Sequence, residues 1–142
     1  MAHNTSYRQT SIILDGNRHH QTGAGGVVVD TTKYKGVASV VFAYGKIHYR
    51  LAADLDTEDT GTWTPKLETA DDTSFNTNKA DVTTFTAVTI DSSAHEGTAG
   101  VQAKAVDLQA CRRYVRMYYT VSTDTASLAL PVAATLNVIE SY

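Results

Sequence analysis

Cysteine, proline, surplus positive charge and long apolar runs are all scarce in this chain, and each scarcity removes a class of protein. The single cysteine, Cys111, excludes an internal disulfide framework and any zinc site built on paired cysteines. Lysine and arginine number 12 against 15 aspartate and glutamate, a formal net charge of −3. A nucleic-acid binder usually carries a basic patch, so no nucleic-acid partner is expected. No stretch reaches the roughly 18 apolar residues of a spanning helix, so no membrane partner is expected. Met1 to Ser6 lack the basic and apolar regions of a secretory signal. The expectation is a protein made and kept in a cytoplasm, or in a particle assembled there.

What is abundant is threonine, with valine and tyrosine, while the usual helix formers Glu, Lys, Gln and Leu are thin. The 142 residues suit one domain with a real core. The pattern is clearest between Arg112 and Ile139. Val115, Met117, Tyr119 and Val121 share one strand parity, and Arg112, Tyr114, Arg116 and Tyr118 share the other. Leu128, Leu130, Val132, Ala134, Leu136 and Val138 repeat the apolar parity after the polar stretch Ser122 to Thr125. The spacing predicts a long two-stranded hairpin with a core face and a wet or partner-facing stripe.

Taken in order, residues 1–9 have no periodicity and are expected to form an extended N-terminal arm, ending in Tyr7 and Arg8. A β domain follows over 10–142. Thr10 to Asp15 is a short apolar strand, and Gly23-Ala24-Gly25-Gly26 a flexible turn. In Gly36 to Tyr44 both parities are apolar, which predicts a central strand covered on both faces. Lys46 to Ala53 alternates, with Ile47, Tyr49 and Leu51 against Lys46, His48 and Arg50. Pro65 marks Thr62 to Glu68 as an edge strand or bulge. Val82 to Ile90 and Val101 to Leu108 complete about nine strands with turn signals roughly every 8 to 12 residues. The expected fold is all-β: a single-domain antiparallel β-sandwich, jelly-roll-like.

Chemistry is thin. The glycine loop lacks the Lys-Ser/Thr and helix of a phosphate loop. The acidic run Asp54 to Asp59 offers oxygen ligands without the spacing of a calcium loop, so a solvated loop is expected. His3, His19, His20, His48 and His95 are scattered, and no Gly-x-Ser-x-Gly elbow exists. Cys111 reads as a buried structural thiol. No enzyme, cofactor or metal is expected. Trp63 with Tyr44, Tyr49, Tyr114, Tyr118 and Tyr119 is a candidate sugar-stacking platform. The Arg-Tyr stripe has the residue types of interface hot spots, which favours a subunit or partner contact.

Several pieces resemble a family of small β-rich tailed-phage proteins encoded beside the major capsid protein, the head decoration or cement proteins. They are Asp30-Thr31-Thr32-Lys33-Tyr34 before Val37 to Tyr44, Gly61 to Glu68 followed by Asp71-Asp72-Thr73-Ser74-Phe75, and Arg113-Tyr114-Val115-Arg116. The likeness spans residues 27 to 139, with short pieces and no catalytic signature. It departs at Lys46 to Asp59, which is longer than the family's connection. The resemblance implies a homotrimer docked on the outside of an icosahedral head, against the major capsid protein. Contacts are then expected from Tyr7 and Arg8 in the arm and from Arg112, Tyr114, Arg116 and Tyr118. A tail or neck component, or a carbohydrate-binding module, are the alternatives.

Overall fold

The computed structural model describes residues 6–16, 18–19, 22–50, 60–91, 99–123 and 130–141. Its strands are β1 (Tyr7–Asp15), β2 (Arg18–His19), β3 (Gly23–Ala24), β4 (Val29–Asp30), β5 (Val40–Arg50), β6 (Thr60–Ala70), β7 (Ala80–Thr84), β8 (Val88–Asp91), β9 (Ala99–Ala105), β10 (Tyr114–Thr123) and β11 (Leu130–Ser141). They form two antiparallel sheets. The first runs β1-β11-β5-β9, with β2 also on β11; the second runs β3-β10-β6-β7, with β4 also on β10 and β8 also on β6. Neither closes into a barrel. The chain is an all-β sandwich.

The core follows from alternation. Val115, Met117 and Tyr119 of β10 point inward, as do Val132, Ala134, Leu136 and Val138 of β11. Ile47 of β5 and Trp63 and Leu67 of β6 join them, so each sheet supplies one wall. Trp63 stacks on Tyr119 at 5.3 Å between ring centroids and meets Tyr49 at 5.6 Å. Such large rings dominate the burial term, at about 1.5–3 kcal/mol for each fully buried apolar side chain.

Several expectations are corrected. The predicted hairpin does not form: β10 and β11 lie in different sheets, with β10 against β6 and β11 between β1 and β5. Their shared parity is real because both face the same core from opposite sides. Residues 7–9 are not an arm, since β1 begins at Tyr7 and pairs Tyr7 with Ser141 and Arg8 with Glu140. Residues 1–5 lie outside the described residues. Gly36 to Tyr44 is not covered on both faces. The strand begins at Val40, runs unbroken to Arg50, and leaves Val41 and Phe42 exposed.

Pro65 sits on a central strand, not an edge. Its backbone carbonyl accepts from Phe85 N–H at 2.9 Å, so its missing donor faces the same side. There the neighbouring strand breaks: β7 ends at Thr84 and β8 starts at Val88, where one strand was expected. The glycine stretch is more than a turn, because Gly23–Ala24 pairs with Tyr118 and Tyr119 and Gly25 N–H donates to Met117 O. A Cβ on Gly25 would lie 2.9 Å from the buried Asp15 carboxylate, so the chain needs glycine there. The two-residue strands β2, β3 and β4 are too short to carry a period, which is why the expected number of strands was too low.

Candidate docking surfaces

The sandwich has two outer faces, and the residues expected at a contact divide between them. Tyr114, Arg116 and Tyr118 lie on the outer face of the second sheet, opposite Ala70, Glu68 and Lys66 of β6. This face is partly closed by the turn over residues 71–79. Phe75 folds back and is buried, and the Arg116 guanidinium lies 4.1 Å from its ring centroid. Beneath it Arg116 Nε donates to Glu68 Oε1 at 2.6 Å, with the Glu68 side chain 1% exposed. The turn holds itself together through Asp72, whose carboxylate accepts from the Asn76 and Thr77 N–H groups and from the Ser74 hydroxyl. Those donors, led by Ser74, hold the Asp72 carboxyl below its ordinary value.

Other charges around this sheet are also paired. Lys66 meets Asp81 at 2.8 Å and lies over the Tyr118 ring, and its pKa is raised first by that hydrogen bond. Arg112 lies 3.7 Å from Asp71, an exposed pair of little energetic weight. Arg113 meets Asp30 at 3.1 Å. Asp30 is drawn below its usual value first by the Thr32 N–H and hydroxyl and then by Arg113. The aromatic-arginine stripe therefore exists, but Arg116 is spent inside the fold.

Tyr7 lies on the opposite side of the molecule. It is 57% exposed, on the outer face of the first sheet. Arg8 has the opposite parity and donates to Glu140 at 3.0 Å. Strand register builds this face row by row. Gln9, Ile139 and Phe42 form one row, and Ser11, Asn137, Tyr44 and Ala105 the next. Ile13, Thr135, Lys46 and Ala103 follow, then Ala133, His48 and Val101, then Arg50 and Ala99. Ile13, Phe42 and Val101 are exposed, and Phe42 stacks on Tyr44 at 5.9 Å. These exposed apolar groups share one face but lie on three different strands and in three different rows.

Half of this second candidate was legible, since Lys46, His48 and Arg50 share a parity. The other half depends on β9 lying beside β5, and nothing in the alternating Ala99, Val101, Ala103 and Ala105 announces that. A cleft of about 250 Å³ adjoins Phe42, between the start of β5 and Val106, Asp107, Leu108 and Gln109.

The remaining candidates resolve simply. Trp63 is wholly buried, so the sugar-stacking platform loses its centre. Cys111 is buried and its thiol is pushed up to about 11, chiefly by desolvation, as befits a structural residue. His48 is exposed on the first sheet's face. The acidic run Asp54 to Asp59 and His3, His20 and His95 lie outside the described residues, as does the His19 side chain. No cluster that could hold a metal ion occurs among the described residues. No protein-family model matches the chain, and no curated protein matches it.

Proposed function

We propose that this chain is a structural virion protein, a capsid decoration or cement protein that binds the outside of a tailed-phage head and catalyses no reaction. The observation that carries the reading is the outer face of the first sheet, where Tyr7, Ile13, Phe42 and Val101 are exposed among the described residues. The resemblance of short segments to decoration proteins supports it and supplies the partner, the major capsid protein. On this reading the protein works as a homotrimer and its action is mechanical. Binding the assembled shell but not its separated subunits stabilises the shell by mass action. A trimer engaging several subunits at once gains avidity without any single strong contact.

The test is co-sedimentation of the purified protein with heads that lack it. Saturation at a fixed ratio to capsid protein, with a raised melting temperature of the heads, is the expected result. Absence of binding at micromolar concentrations refutes the decoration role and moves the weight to a tail or neck position.

A further inference from the structure

Charge is distributed unequally between the two outer faces. Around the second sheet, Arg116, Lys66, Arg112 and Arg113 each have a carboxylate within 4.0 Å, namely Glu68, Asp81, Asp71 and Asp30. On the first sheet's face, Lys46, His48 and Arg50 form a row along β5, and none has a carboxylate partner among the described residues. No outward position on the four long strands of that face is acidic, although the chain carries more acidic than basic residues. Beside the row, β9 presents Ala103 and Val101, and β5 itself presents Phe42, so the Lys46 and Arg50 cations sit next to a shallow apolar floor.

We infer that the outer face of the first sheet is the docking face, and that it fits a flat protein surface carrying carboxylates beside an aliphatic patch. This rests on the decoration reading for its partner, the outer surface of the shell, and adds which face of the sandwich turns toward it. Charge complementarity selects the occupant. A second copy docked face to face would bring two Lys46–Arg50 rows into one interface with no acidic outward residue on the four long strands to pair them, since a two-fold interface joins the same patch on both subunits. A nucleic acid would need more phosphate-neutralising cations than this short row supplies. Carboxylates opposite Lys46 and Arg50 would fix register, while the alanines of β9 let the apolar floor approach closely.

The experiment uses the full chain and heads that lack it, sedimented over a range of salt. The variants are the double charge reversal Lys46→Glu with Arg50→Glu, the single Ala103→Glu on the exposed alanine strand, and Asp81→Ala on the other face. Circular dichroism and melting temperature check that each folds. Both first-face variants are expected to weaken binding about tenfold or more, with the wild type losing affinity as salt rises and the double variant losing little. Asp81→Ala is expected to bind as the wild type does. Wild-type binding that survives both first-face changes overturns the face assignment and leaves the decoration role standing; no wild-type binding refutes the decoration role itself. Two further outcomes overturn the assignment. One is a wild-type oligomer that the double variant dissociates in sedimentation velocity. The other is tight binding of a single-stranded oligonucleotide that the double variant abolishes.

Discussion

Arg116 and Glu68 face each other across β10 and β6 at 2.6 Å, with their side chains 17% and 1% exposed, under the ring of Phe75. A charge pair withdrawn this far from water is costly to break from one side, because the remaining charge stays buried. Arg116→Ala is therefore expected to destabilise the protein by about 3 kcal/mol, and the double change Arg116→Met with Glu68→Leu by much less. Urea unfolding monitored by circular dichroism compares the three. Equal losses in the single and the double variant would show that the pair is not the source of the cost.

Phe75 and Asn78 both take positive φ, at 57° and 53°, conformations that a bulky residue such as phenylalanine rarely adopts. Asp72 compensates by accepting the bonds that close the turn. Asp72→Ala is expected to lower the melting temperature, with a pH signature of definite sign. Because the folded carboxyl is held below the ordinary 3.8, its contribution is complete above that value and lost as pH falls through the depressed one. The gap between wild type and variant should thus be widest near neutrality and close in acid. A gap that is constant with pH would assign the effect to packing.

Gln102 of β9 reaches from the first sheet to the strand break in the second. Its amide oxygen accepts from Thr86 N–H at 2.8 Å and its amide nitrogen donates to Thr86 O at 2.9 Å. The side chain thus replaces the strand partner that the break at Pro65 removes. Gln102→Ala should cost about 1 kcal/mol, and Gln102→Glu more, since a carboxylate sets an acceptor against the Thr86 carbonyl. Denaturant midpoints measure both; a glutamate variant as stable as the wild type would rule out the bidentate contact.

Trp63 is the only tryptophan and is wholly buried against Tyr119. Its fluorescence should be blue-shifted and shielded from iodide in the native protein, and should shift red on unfolding. Soluble oligosaccharides should leave it unchanged. Ready iodide quenching of the folded protein would return Trp63 to the surface and restore the sugar platform.

The fold class, the inward residues of β10 and β11 and the burial of Cys111 were legible because each depends on a short window of sequence. Side-chain parity is local: Val115, Met117 and Tyr119 must share a side whatever the strand pairs with. The structure of the stripe was less legible. Arg116 and Tyr118 do share a face, but that Arg116 is locked to Glu68 depends on Phe75, some forty residues away, folding over it.

What the sequence determined by itself, then, is a β chain with the inward and outward residues of its long strands, because strand alternation and propensity act between near neighbours. What only the tertiary structure decided is lateral order and coverage. Parity names the face a residue takes and not the strand beside it, and a loop can span the roughly 10 Å between sheets as readily as the roughly 4.8 Å between paired strands. So β10 and β11 could become opposite walls of the core instead of a hairpin. Pro65 could sit in a central strand because its partner breaks where its donor is missing. And Lys46, His48 and Arg50 could gather with Phe42 and the alanines of β9 on one outer face.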